Sequence, residues 1–291
     1  MIDKYTQLKN QIASRSSICG ISSNEVSLAK DLVDNKSKDK TLFICEGLWA
    51  TEKLIEKNIE VVAFFYNSEK LEDEKYNIEE LQKIAKMSQF SAKTYAISTK
   101  SCKKISDRDG FDQEFVIAKV PQYTLADLEK IIKGKSSVLA MIMDGLEQPG
   151  NIGAILRSFD CAGGNFAIVT NKQARISNSR LVRSSLGASF MMPVIESDID
   201  QVQSWLEKNN FKCVVTDLTA KKSYREIDYS GRIAIVAGNE HTGISASWRT
   251  LKNSQSIIIP MLGSCESLNV GFASTLVAYE AGLQKHEKLN K

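Results

Sequence analysis

Short apolar runs alternate with stretches of helical periodicity along most of this chain, and that alternation restricts the fold more than any other feature. In the second half, strand patterns fall at 138–143, 166–169, 191–194, 212–216, 232–236 and 256–260. Helical patterns at 151–162, 178–187, 199–209 and 267–284 lie between or after them. Such a sequence predicts an α/β fold, a mostly parallel sheet with helices on both faces. Ligands in sheets of this kind collect at the loops leaving the carboxyl ends of the strands.

The first part alternates too. Val26, Ala29, Leu32 and Val33 follow cap candidates at Ser22 to Asn24 with helical spacing. Apolar runs at 41–45, 61–66 and 93–97 read as strands, with a helix at "IEELQKIAKM" between the last two. Together these predict a smaller N-terminal α/β domain over 1–105. A turn-rich stretch follows, then a strand at 115–120 stopped by Pro121, whose ownership stays open. Next comes a helix with Thr124 and Asp127 at capping-box spacing and Gly134 at its end. The expected organisation is therefore 1–105, a linker region over 106–136, and a larger domain over 137–291.

Composition excludes several classes. With 43% hydrophobic and 25% charged residues, this is the make-up of a soluble globular chain. No apolar run reaches the roughly 18 residues of a membrane span. The N-terminus MIDKYTQLKNQ has no signal-peptide core, so a cytoplasmic location and no membrane partner are expected. Six cysteines are scattered without a C-x-x-C pair, arguing against a zinc site or a disulfide scaffold. Cys45, Cys161 and Cys213 sit in apolar surroundings and are expected to be buried. Two histidines, His241 and His286, cannot build a His-rich metal site, so no metal is expected. Net charge is only +3, but residues 161–195 contain no Asp or Glu while Lys172, Arg175, Arg180 and Arg183 fall there. That stretch is either a solvated face or a phosphate-contacting one.

Three loops carry the chemistry. In "DGLEQPGNIGAILRSFDCAGG" (144–164) a strand ends at Asp144-Gly145, Asn151 is placed to cap a helix, and Arg157 lies inside it. In "IAIVAGNEHTGIS" (233–245) a buried strand runs into a glycine-bounded polar loop that fits neither the dinucleotide fingerprint nor a P-loop. In "SIIIPMLGSCESLNVGFASTLVAYEA" (256–281) Pro260 ends a strand and Ser267-Leu268-Asn269 arrive at the start of an apolar helix. Gly271, Ala273 and Ser274 would let that helix sit close to a neighbour.

In this order, the three stretches resemble the motifs of the SpoU (TrmH-type) RNA ribose 2′-O-methyltransferases. The first motif is represented by Asn151, Gly153 and Arg157, and the Gly-x-Glu-x-x-Gly loop by Gly238, Glu240 and Gly243. The third is represented by Ile259, Pro260, Met261, Ser267, Leu268 and Asn269. Phe43 to Gly47, with "KKISD" and "VIAKVP", is similar to the ribosomal-protein-like substrate-binding domain often attached to this family. Departures are confined to Asn239, His241 and the Gly271-Phe272 pair.

The resemblance implies a deep trefoil knot, a homodimer and S-adenosyl-L-methionine as cofactor, with Gly238, Ile259 and Leu268 lining the adenosine. It implies a catalytic group of Arg157, Asn151, Glu240, Ser267 and Asn269. Asn151 would orient Arg157, Glu240 would brace the loops, and Ser267 and Asn269 would position the active-site edge. Arg157 is proposed in the family as the base for the 2′-hydroxyl, but a guanidinium, which gives up its proton only with great difficulty, suits phosphate clamping and charge stabilisation better. The RNA partner expected is 23S rRNA. Lys36, Lys38, Lys40, Arg180 and Arg183, with Lys100, Lys103 and Lys104, are the candidate contacts. Alternatives are a tRNA 2′-O-methyltransferase of the same family, a non-catalytic RNA-binding protein on this scaffold, and an unrelated nucleotide-binding α/β enzyme.

Overall fold

The computed structural model describes residues 3–106 and 113–289, so 107–112 of the expected linker lie outside the described residues. Two compact units share the chain, Met1–Pro121 with Ile176–Arg183, and Gln122–Arg175 with Ser184–Lys291.

The first unit holds a five-stranded sheet of β1 (Ser16–Ile18), β2 (Leu42–Glu46), β3 (Val61–Asn67), β4 (Thr94–Ile97) and β5 (Phe115–Lys119). Their order is β1-β4-β3-β5-β2. β5 runs antiparallel between β2 and β3, and the pairs of β4 with β1 and β3 are parallel. The strand at 115–119 therefore belongs to the N-terminal unit, which reaches Pro121 rather than ending near residue 105. Removing β5 would leave β2 and β3 with unpaired backbone edges. Helix Asn24–Val33, capped by Ser23, turns Val26, Ala29 and Leu32 onto the sheet residues Ile44, Phe65 and Ile117. The Ile176–Arg183 segment is tied into this unit at the end of that helix. Ser179 donates its N–H to Asn35 Oδ1 at 2.9 Å and its hydroxyl to the Val33 carbonyl at 2.7 Å.

The second unit holds β6 (Val138–Asp144), β7 (Phe166–Thr170), β8 (Val194–Glu196), β9 (Lys212–Thr216), β10 (Arg232–Gly238) and β11 (Ser254–Ile257). All its pairings are parallel, in the order β11-β9-β10-β6-β7-β8. β6 is buried along its whole length and β10 in all but its first residue, which is why both read as continuous apolar runs. Phe166, Trp205 and Phe211 pack together in the core, Trp205 edge-on to Phe166 at 5.8 Å between ring centroids.

Several boundaries differ from the sequence reading, three of them around the site and its sheet. A short helix, Ala188–Met191, takes the place expected for a strand near 191–194 and pushes β8 on to 194–196. β11 stops at Ile257, before Pro260, because Ile258 leaves the ladder and donates its N–H to the Lys222 carbonyl at 2.9 Å. The last helix runs Val270–Leu289, so Ser267, Leu268 and Asn269 precede it.

That last helix lies alongside helix Pro149–Cys161. A Cβ added at Gly271 would sit 3.9 Å from the Ala154 Cβ, and one at Gly282 only 2.2 Å from the Ala162 carbonyl oxygen. At Gly282 the backbones approach so closely that any side chain would clash, whereas at Gly271 a methyl would meet Ala154 at ordinary contact distance. Cys161 is exposed, contrary to expectation: with Ala154 and Arg157 it lies on the outward stripe of its helix, at three- and four-residue spacing. Cys45 and Cys213 are buried. No helix among the described residues is long and apolar enough to cross a membrane.

Candidate active site

β6 and β10 lie side by side in parallel register, with Gly238 opposite Asp144. Two loops therefore leave the sheet at one level, and everything at the site follows from that adjacency.

After β6 the chain turns at Gly145 and enters helix Pro149–Cys161 with proline in the first turn and Gln148 at the N-cap. Asn151 is thus already inside the helix and does not cap it. Its amide reaches across, donating to Glu240 Oε1 at 2.8 Å. Glu240 also accepts the Glu147 N–H at 3.2 Å and the Gln148 N–H at 3.4 Å, donors at the helix mouth where an anion is favoured. Partial burial pushes the Glu240 carboxyl upward, but the Asn151 amide and the surrounding backbone N–H groups outweigh it and hold it below the usual carboxylate value.

The third stretch joins at the same point. Asn269 Nδ2 donates to Asn151 Oδ1 at 3.2 Å, while Asn269 Oδ1 accepts the Gly271 N–H at 2.8 Å. Asn269 is therefore the side-chain cap of the last helix and its link to helix Pro149–Cys161. Glu240, Asn151 and Asn269 form one chain of hydrogen bonds running from the 239–243 loop to the start of the last helix.

The 239–243 loop is itself a tight hairpin. Asn239 N–H and Gly243 carbonyl meet at 2.9 Å, and Gly243 N–H and Asn239 carbonyl at 3.0 Å. A Cβ on Gly238 would lie 2.5 Å from both the Gly243 carbonyl carbon and the Ile244 nitrogen, so only glycine fits where the loop folds back. Below it, Asp144 is 2% exposed. One of its carboxylate oxygens accepts from Thr170 Oγ1 at 3.0 Å and Asn171 Nδ2 at 2.7 Å, and the other from the Ser245 N–H at 2.9 Å.

Arg157 is exposed and makes no hydrogen bond or ion pair among the described residues. The expected bond from Asn151 is absent. Six positions along a helix are about 9 Å of rise and roughly 120° of rotation, too far for side-chain neighbours. The segment before the last helix presents apolar side chains to solvent, Leu262 at 98% and Leu268 at 40% exposure. Ile259, at its start, is partly buried, and Ser267 is exposed.

In the first unit, Lys38, Lys40 and Arg180 are exposed, and Lys36 is exposed beside Asp34, with which it pairs at 3.0 Å. Arg183 pairs with the buried carboxylate of Glu46, so its charge is neutralised within the unit. Asp144, Asn171 and Ser245 escaped sequence reasoning as site residues. Their partners lie tens of residues away, and only the strand-end position of Asp144-Gly145 hinted at a role. No group of three or more metal-ligating side chains is assembled among the described residues.

A model of the SpoU rRNA Methylase family matches residues 138–279. A putative TrmH family tRNA/rRNA methyltransferase from Staphylococcus aureus (strain MSSA476) is 32% identical over 179 residues, covering 59% of this chain and 71% of the relative. The chain belongs to this SpoU/TrmH family. A 23S rRNA (uridine(2479)-2′-O)-methyltransferase of Streptomyces viridochromogenes is 33% identical over 165 residues, 55% of this chain and 57% of that protein. The alignment thus spans little more than half the length of that relative. A SpoU methyltransferase from the same organism, solved with AdoMet, superposes with a TM-score of 0.77 at 25% identity, over 91% of this chain and 98% of its own. The family match spans Asn151, Arg157, Gly238, Glu240, Ile259, Ser267, Leu268 and Asn269, all in the second unit.

Proposed function

We propose that this chain transfers a methyl group from S-adenosyl-L-methionine to a ribose 2′-hydroxyl of RNA, with 23S rRNA as substrate. The observation that carries the proposal is the Glu240–Asn151–Asn269 chain of hydrogen bonds, which brings the three family loops to the carboxyl ends of adjacent parallel strands.

The residues present fit the cofactor. Ile259 and Leu268 offer apolar side chains to a nucleoside, and the 238–243 hairpin offers a close-folded backbone. Bound S-adenosyl-L-methionine would supply an electrophilic methyl carbon on a sulfonium. The chain's own task is to hold the ribose hydroxyl in line with that carbon and to stabilise the charge growing on oxygen as its proton leaves. Arg157 suits that task as a permanent cation on an exposed helix face, orienting the nucleotide through its phosphate and countering the developing negative charge. Glu240 and Asn151 tie the loops to one another, and Asn269 with Ser267 sets the edge of the pocket.

Two further features belong to this reading. β11 is an edge strand, yet the helix that follows starts beside Asn151 next to β6, so residues 258–269 must cross the carboxyl ends of β9 and β10. That crossing supports a knotted path of the trefoil kind. Phe272, Leu276, Tyr279 and Leu283 are all exposed on the last helix at four-, three- and four-residue spacing. This single apolar stripe supports a homodimer. On the first unit, Lys36, Lys38, Lys40 and Arg180 would serve the RNA backbone.

Incubation with S-adenosyl-L-methionine labelled in the methyl group tests the substrate. Label entering 23S rRNA supports the proposal, label entering tRNA alone moves the enzyme to the other RNA class, and cofactor binding without transfer to either would favour a non-catalytic RNA-binding role.

A further inference from the structure

We infer that Asn239 is a positioning residue, holding the 239–243 hairpin against the turn after β6 and so setting the cofactor pocket. The inference rests on the reading above that this hairpin borders the cofactor.

All four hydrogen-bonding capacities of the Asn239 amide are in use. Its oxygen accepts the His241 N–H at 2.8 Å and the Thr242 N–H at 2.9 Å, which closes the hairpin on itself. Its nitrogen donates to the Gly145 carbonyl at 2.7 Å and to Glu147 Oε1 at 3.0 Å, which fixes the hairpin to the other loop. One planar group therefore sets both the shape of the hairpin and its distance from the β6 turn. The far end of the same loop is tied to the same strand end through the Ser245 N–H and Asp144. Glu240, the next residue, can meet Asn151 only if the hairpin is held in this register.

An aspartate at 239 separates the two jobs. Asn239→Asp keeps the acceptor for His241 and Thr242 but loses both donors and sets a carboxylate against the Gly145 carbonyl and the Glu147 carboxylate. Changing Glu147→Gln in addition supplies an amide donor from the opposite side, reversing the direction of the lost bond.

The test is calorimetric titration of the full-length protein with S-adenosyl-L-methionine, with turnover measured at saturating cofactor. Asn239→Asp is expected to raise the Kd about tenfold while kcat at saturation falls less than threefold, and the double variant is expected to recover at least half of the lost affinity on a logarithmic scale. An unchanged Kd in Asn239→Asp would overturn the inference. So would a loss that Glu147→Gln does not relieve, since a general loosening of the fold gives no reason for rescue. A wild-type protein that binds no S-adenosyl-L-methionine would overturn the reading of the site itself, and this inference with it.

Discussion

The Glu240 carboxylate and the Asn151 amide, 89 positions apart in the chain, meet at 2.8 Å. Asn151 in turn accepts from Asn269, another 118 positions on. Each bond is of ordinary strength, about 0.5–1.5 kcal/mol net and more where a charge takes part. Their importance lies in where they act, because they tie three loops that no sheet ladder connects.

Glu240 gives the tie a pH dependence. Its folded carboxyl lies below the ordinary value of 4.5, so its contribution to stability is fully present above pH 4.5 and is lost as pH falls through the lower folded value. Glu240→Gln should therefore lower the melting temperature by a near-constant amount between pH 5 and pH 8, and the gap should close below about pH 4.5. Thermal melts of both proteins across that range check it.

Gly282→Ala sets two effects against each other. Alanine in a helix gains about 1 kcal/mol over glycine. Here the new methyl would sit 2.2 Å from the Ala162 carbonyl oxygen, a backbone atom that cannot swing aside. Overpacking of this kind costs about 1–3 kcal/mol. The clash wins, and urea denaturation should show a net loss of stability rather than a gain.

The apolar stripe on the last helix predicts the state of assembly. Wild-type protein should sediment as a dimer, and Phe272→Glu combined with Leu276→Glu should sediment as a folded monomer, since both side chains are exposed in the single chain. A wild-type monomer at micromolar concentration would contradict the role given to that face.

Much of this was legible in the sequence, for reasons that differ by element. β6 and β10 were visible because their residues are buried on both sides and so apolar throughout. The helix from Thr124 was visible because its capping box is local. β5 was visible as a strand but not as a member of the first sheet, because its partners β2 and β3 lie far back in the chain. β1, three residues of Ser-Ser-Ile on an exposed edge, had no hydrophobic pattern to show. Within the site, the residue types were readable but their pairings were not. Asn151 looked like a cap, and nothing local revealed that Pro149 starts the helix early enough to free its amide for Glu240. Asn239 reaches Gly145 and Glu147, and Asp144 reaches Thr170, Asn171 and Ser245, and these contacts exist only once the sheet has formed.

Arg157 carries the central claim, and one measurement bears on it most directly. Purified wild-type protein and Arg157→Ala should be compared for methylation of 23S rRNA, with the modified nucleotide mapped by its resistance to alkaline cleavage. Exposed and unpaired among the described residues, Arg157 can be removed with little effect on stability. The account predicts one alkali-resistant ribose with the wild type and a loss of about a hundredfold or more in rate for the variant, at an unchanged melting temperature. Full methylation by Arg157→Ala, or label confined to a base rather than a ribose, would contradict it.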